Sequence, residues 1–182
     1  MLESIAHIDT LAIHAVQSVG PAWASVARLL SEIIGSTTWL APAVIVALLL
    51  IDKRRAALET FIIFIASGGI IYALKHLIGA ARPFTVDPSV IQYVAETGYG
   101  MPSGHAVLSV VILGWLWMRH PRSLSLSIGV PTLILLIGLS RIYLGVHYPS
   151  QVIAGWLIGA VLLGIFSWID RTYFRRRKST LR

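Results

Sequence analysis

Cysteine is absent from this chain of 182 residues, which excludes disulfides, thiolate metal sites and thiol nucleophiles. Charge is scarce. Only 13% of residues are charged and 56% are hydrophobic, whereas soluble domains carry nearer a quarter charged. Acid is scarcer than base, with 8 Asp and Glu against 15 Lys and Arg, and no group of carboxylates offers ligands for magnesium or calcium. The opening MLESIAHIDT has neither a basic n-region nor a small-residue cleavage site, so no removable leader is expected. Internal repeats, linkers and low-complexity tracts are also missing, apart from a basic tail. Apolar runs are what the chain has in plenty. A mean hydropathy of +0.77 and several runs long enough to cross a bilayer core predict a polytopic, all-α membrane helix bundle in one domain over residues 1–182.

Five spans are expected, at 36–51, 56–78, 104–118, 124–143 and 150–169. The shorter ones need tilt or interfacial ends to fit a core of about 30 Å. Over residues 1–34, Glu3, His7, Thr10, His14 and Gln17 recur every three or four positions. That narrow polar stripe fits an interfacial helix, or a spanning helix whose stripe faces its neighbours. Pro21 opens a second short helix carrying Arg28 and Glu32. The expected count is six helices, the first only partly buried: amphipathic N-terminal helices over 1–34, core spans over 36–172, and a basic tail over 173–182.

Charge orients the spans. Lys53-Arg54-Arg55, Arg119 with Arg122, and Arg171 with Arg175, Arg176, Arg177 and Lys178 cluster at alternate span ends. The positive-inside rule places all of them in the cytoplasm. The net charge of +7 therefore reads as topology anchors near anionic lipid, and no nucleic-acid partner is expected. Lys75, Arg82 and Arg141 fall at the opposite ends, where the orientation rule gives them no task.

Three clusters gather there. In Lys75-His-Leu-Ile-Gly-Ala-Ala-Arg82-Pro83, the two cations share a face if the helix runs on, while Pro83 biases Arg82 toward an extended backbone and suggests that the span ends. Lys75 alone would read as a side chain snorkelling to the headgroups. In Met101-Pro102-Ser103-Gly104-His105, Ser103 is a natural N-cap and Gly104 lets a ligand approach the backbone. The first N–H groups of the helix that follows suit an anion. In GLSRIYLGVHYPSQ, residues 138–151, Ser140 and Arg141 close one span, Gly145 allows a turn, and His147 precedes Pro149-Ser150-Gln151 at the start of the last helix. Singly, each histidine or cation has an ordinary structural reading. Three cations, two histidines and a free helix N-terminus on one face suit a dianionic phosphate, with arginines binding oxygens in pairs. Two histidines without a carboxylate make a poor zinc site, so no metal or other cofactor is expected.

These clusters resemble the tripartite signature K-x6-RP, PSGH and SR-x5-H-x3-D of the type 2 phosphatidic acid phosphatase superfamily, which includes acid phosphatases and vanadium haloperoxidases. The resemblance covers residues 75–151, with order, spacing and sidedness agreeing. It implies His147 as a nucleophile forming a phosphohistidine and His105 as the general acid and base. Lys75, Arg82, Arg141, Ser103 and Gly104 would bind phosphate; Pro83, Pro102 and Ser140 would be structural members of the motif. One position departs: Gln151 stands where the family usually has Asp. Its carbonyl can still accept the Nδ1–H bond but supplies no negative charge. Glucose-6-phosphatase-type members are similar in carrying Gln there.

The expected activity is a phosphatase for lipid phosphates or diphosphates, of polyprenyl diphosphate, phosphatidylglycerol phosphate or phosphatidate type, in the inner membrane with its site outside the cytoplasm. A lipid phosphotransferase, a sugar-phosphate phosphatase, and a lipid-binding member weakened by Gln151 are the alternatives. Asp87 and Glu96 read as solvated loop charges, His7 and His14 as polar packing or interfacial residues, and His76 and His120 as interfacial. Gly155, Gly159 and Gly164 read as close helix packing. No oligomeric state is implied.

Overall fold

A computed structural model describes residues 2–34, 39–119 and 124–175 of the chain. The start of the first expected span (36–38), His120, Arg122, the basic residues from 176 onward, and the Glu3 and Arg175 side chains lie outside what is described. The described residues contain helices α1 Leu2–Gln17, α2 Ala24–Arg28, α3 Leu40–Leu50, α4 Arg54–Ile78, α5 Pro83–Val86, α6 Gly104–Arg119, α7 Leu124–Tyr143 and α8 Pro149–Ile169, and no strand. The all-α expectation holds. All five expected spans appear, as α3, α4, α6, α7 and α8. Three stretches, Arg54–Val86, Leu124–Tyr143 and Pro149–Thr172, are long and apolar enough to cross a membrane, whereas α3 and α6 are shorter.

The helix ends follow from local chemistry. α4 stops at Gly79, whose φ of 64° places it in the left-handed region that closes helices. α5 and α8 both begin on proline, whose missing N–H and fixed φ suit a first turn. α6 is the centre of the bundle. Ala106, Val107, Leu108, Val111, Ile112 and Trp115 are all buried on it, as expected of a helix apolar around its whole circumference. It packs most extensively against α8, and also against α4 and α7. Leu50, Leu77, Leu124, Leu157 and Trp168 point outward; in a bilayer this apolar surface meets lipid.

Both ends of the bundle are polar, in different ways. At one end Arg119 pairs with Glu59 and, at 3.3 Å, with Asp170, while Arg55 pairs with Glu59 at 2.7 Å. These pairs tie α4, α6 and the end of α8 together. At the other end lie the loops after α4, α5 and α7.

α1 lies across that second end. Asp9 accepts from the Ser150 N–H at 2.9 Å, His14 pairs with Asp87 at 3.0 Å, and Gln17 donates to Ile91 O at 2.7 Å and Tyr143 O at 3.0 Å. Every partner sits in a loop or helix terminus at one end, so Asp9, His14 and Gln17 form the docking face, whereas His7 of the expected polar stripe is exposed and Ile8 and Leu11 turn outward. Asp87 is thus held, by Ser89 and His14, with a pKa lowered to about 2. The reading of Asp87 as a solvated loop charge is corrected.

α8 approaches α6 closely because its facing positions lack side chains. A Cβ on Gly159 would come within 2.8 Å of Val107 O, and one on Gly155 within 2.8 Å of Ser103 O, whereas one on Gly164 meets nothing within 4 Å. Gly159→Ala should therefore lower stability by about 1–3 kcal/mol through overpacking. Gly164→Ala should be neutral or slightly stabilising by helix propensity. Thermal unfolding in detergent micelles checks the contrast.

Candidate active site

The first motif reaches the site through a turn. α4 ends at Ile78, so Lys75 and Arg82 do not share a helical face; the chain turns at Gly79, and Arg82 is extended at φ −88°, ψ 157° ahead of Pro83. Arg82 is 4% exposed, and its N–H groups are spent on the surrounding backbone. Nε donates to Gly98 O at 3.0 Å, Nη1 to Val146 O at 3.0 Å and Nη2 to Thr97 O at 3.1 Å. Lys75 Nζ donates to Tyr99 O at 2.5 Å. The two cations thereby hold the 97–99 backbone against the bundle.

The second motif delivers α6. Ser103 occupies the N-cap position, and the Val107 N–H donates to its carbonyl at 3.0 Å. Its hydroxyl does not cap the helix, contrary to the expectation; Oγ is buried without a partner, and the residue is wholly inaccessible. A buried hydroxyl left unmatched costs about 1–3 kcal/mol; the residue lies against Gly155 where α6 meets α8, off the wall of the cavity described below. His105 follows in the first turn and faces that cavity.

The third motif supplies the remaining groups. Arg141 is 0% exposed, near the end of α7. Its Nη1 donates to Ser31 Oγ and its Nη2 to Glu96, while Nε is buried without a partner. Gly145 then turns the chain at φ 76°, where a Cβ would collide with Ile91 O. His147 follows in the loop, 2% exposed.

Gln151 fixes the state of His147. Its Nε2 donates to Ala81 O at 2.8 Å, which turns Oε1 toward the imidazole, and the Tyr148 N–H also donates to Oε1. His147 Nδ1 lies 3.0 Å from that oxygen. An acceptor there requires the proton on Nδ1, leaving the Nε2 lone pair bare. Arg82 Nη1 donates toward Nε2 at 3.4 Å. Burial, and then the positive fields of Arg141, Arg82 and Lys75, hold the imidazole pKa well below its usual 6.5, against an upward pull from the Gln151 hydrogen bond.

Lys75, Arg82, Gly104, His105 and His147 line one cavity of about 340 Å³, whose remaining wall is Phe64, Gly68, Ile71, Leu108 and Glu96. Arg141 is not on that wall and reaches it through Glu96. Ser140 Oγ donates back to Ile137 O at 2.7 Å, within its own helix, so Ser140 shapes the helix end. Among the described residues no three His, Asp or Glu side chains converge as metal ligands. Glu96 corrects the sequence reading most. It is no solvated loop charge, for its carboxylate touches Arg141 and, at 3.3 Å, Arg82. Asp87 and Glu96 are the sole acidic residues in the stretch 79–150, and three sequestered cations were the signal that one of them is a counter-charge.

A sequence model described as the PAP2 superfamily matches residues 56–175. The chain is similar to the undecaprenyl-diphosphatase of Sulfolobus acidocaldarius, 34% identical over 132 residues that make up 69% of this chain and 58% of that protein. It is also similar to phosphatidylglycerophosphatase B of Bacillus subtilis, 28% identical over 51% of this chain and 50% of that one. The chain thus spans about half the length of these relatives. The crystal structure of a transmembrane PAP2 type phosphatidylglycerolphosphate phosphatase from Bacillus subtilis superposes with a TM-score of 0.80 at 22% identity, covering 94% of this chain and 89% of that one.

The site geometry makes a pH prediction. Because the folded pKa of His147 is lowered, the imidazole should remain the neutral Nδ1–H tautomer at pH 6, where a free histidine is mostly charged. The unfolded chain takes up that proton first, so the stability this residue contributes is present above about pH 6.5 and is lost as pH falls toward the folded pKa. Nitrogen shifts of 15N-histidine-labelled protein in micelles, assigned with His147→Ala, report the tautomer directly.

Proposed function

Because the chain belongs to the PAP2 superfamily, we propose that it is a phosphatase of lipid phosphates or diphosphates working through a phosphohistidine. One observation carries the reading. The bare Nε2 of His147 sits beside Arg82 in a cavity that holds Lys75 and His105 and continues between apolar side chains. Gly68 and Phe64 precede Lys75 on α4 by seven and eleven residues, about 10 and 16 Å along the axis. A headgroup among the cations therefore has an apolar slot beneath it for its chain. That slot favours a lipid over a soluble sugar phosphate, and the names of the relatives point to polyprenyl diphosphate or phosphatidylglycerol phosphate as substrate classes.

The reaction divides into two displacements. Nε2 attacks phosphorus while the phosphorus–oxygen bond to the leaving group breaks, and His105 gives that oxygen its proton. His105 then takes a proton from water as the water attacks the phosphohistidine, the phosphorus–nitrogen bond breaks, and inorganic phosphate leaves. The charge gathering on the phosphoryl oxygens faces Arg82, Lys75 and the Gly104 backbone at the start of α6, groups already oriented on the cavity wall. Gln151 keeps the nucleophile in its reactive tautomer through hydrogen bonding alone. It supplies no negative charge to stabilise imidazolium character, which predicts a working catalyst slower than one with Asp in the same place.

Sidedness follows from charge. Arg54, Arg55, Arg119 and Arg171 lie at the helix ends opposite the cavity. If they face the cytoplasm, as the positive-inside rule has it, the site opens on the outer surface of the inner membrane and the basic tail lies within.

Purified protein in detergent, offered a panel of lipid phosphates and diphosphates, should release phosphate with a chelator present. His147→Ala should fall to background, and His105→Ala by about 10²–10⁴-fold. Parent protein no faster than His147→Ala on every lipid rejects the reading. Adding a second lipid as acceptor and analysing products separates hydrolysis from transfer.

A further inference from the structure

Glu96 grips the same donors that a phosphate would need. One carboxylate oxygen meets Arg141 Nη2 and the other lies 3.3 Å from Arg82 Nη2, so one oxyanion spans both guanidiniums. It sits on the cavity wall with His105 and His147. Its fit is incomplete. The side edge of a guanidinium presents Nε–H and Nη2–H together, and a matched oxyanion takes both. On Arg141 the carboxylate takes Nη2 and leaves Nε buried and unpartnered. A carboxylate with one oxygen on each guanidinium has none left for that N–H. A tetrahedral phosphoryl group, with three terminal oxygens, has an acceptor to spare for it.

We propose that Glu96 is a resident competitor for the phosphate site: a tethered anion that holds the Arg82–Arg141 pair between turnovers and must swing away when a phosphoryl group binds. This rests on the reading of the cavity as a phosphate site and adds a threshold to it. Displacing the carboxylate costs the same for every incoming anion, so the ratio between two ligands is unchanged while the affinity of each falls. A phosphodiester headgroup has one negative charge and two free oxygens, and exchanges with Glu96 roughly like for like. A phosphomonoester or diphosphate terminus brings a further charge and a third oxygen for the orphaned Arg141 Nε–H. In a membrane crowded with phosphodiester lipids, the threshold keeps the weaker class out and leaves the stronger class able to bind. The same carboxylate re-takes the arginines as inorganic phosphate departs.

Glu96→Gln keeps the shape and removes the charge. In parent protein and this variant, the dissociation constant of inorganic phosphate is measured by calorimetry in micelles, and inhibition by phosphatidylglycerol by titrating its mole fraction. Phosphate binding tighter by about tenfold or more, equivalent to about 1.4 kcal/mol, with phosphatidylglycerol inhibition appearing at lower mole fraction, is the expected result. Glu96→Asp, one methylene shorter and unable to span both arginines, should tighten phosphate binding to a lesser degree, and it decides the question if the Gln variant does not fold. Unchanged or weaker phosphate binding in the folded variants overturns the proposal and makes Glu96 a positioning residue for the arginines. These are equilibrium measurements, so they stand apart from the hydrolysis assay: a parent protein that binds phosphate but releases none from lipid rejects the phosphatase reading alone.

Discussion

The guanidinium of Arg82, buried in the helix bundle, gives its N–H groups to five partners in two stretches of the chain, 96–98 and 146–147. Gly98, Thr97 and Val146 carbonyls, Glu96 and the His147 ring share them. An unmet donor on a buried charge is costly, so this one side chain fixes where the 96–98 loop, the turn after α7 and the His147 ring lie with respect to the end of α4. The position of His147 is a consequence of solvating Arg82 with protein.

The helices serve this constraint by keeping water out. α6, buried along most of its length, is set close to α8 by glycine, which puts His105 on one side of the cavity and Gln151 behind the other. The amide of Gln151 is itself held, donating to Ala81 and accepting from Tyr148. It therefore presents oxygen, never nitrogen, to His147. A carboxylate at 151 would carry charge but could not donate to the Ala81 carbonyl. The glutamine fits the backbone it meets as well as the ring it orients.

Much of this was legible in the sequence, for reasons that differ between elements. Apolar runs marked α4, α6, α7 and α8 because burial in lipid and burial in protein demand the same residues. The motif spacings identified Lys75, Arg82, His105 and His147, with Pro83 and Gly104 directly beside Arg82 and His105, and Gly145 and Pro149 two residues to either side of His147. Glu96, Ser31 and Asp9 were illegible as site residues. Each acts on a group more than forty residues away, and no local pattern announces such a partner. Ser103 shows the opposite failure: its position predicted a cap, whereas the buried hydroxyl stays uncommitted. Only the charge balance, three sequestered cations against two nearby acids, could have singled out the missing carboxylate.

The docking of α1 has a bearing on the order of synthesis. Asp9 holds the first residues of α8 across 141 positions of chain, so α1 completes its contacts only after α8 has begun to emerge. At ribosomal rates of about 5–20 residues per second, α1 waits on the order of ten seconds with its carboxylate unmatched. Its outward Ile8 and Leu11 suit it to rest on the lipid surface meanwhile. His147 and the Gln151 amide that orients it emerge at the close of that interval, so the cavity wall they build is completed only as α1 docks beside it.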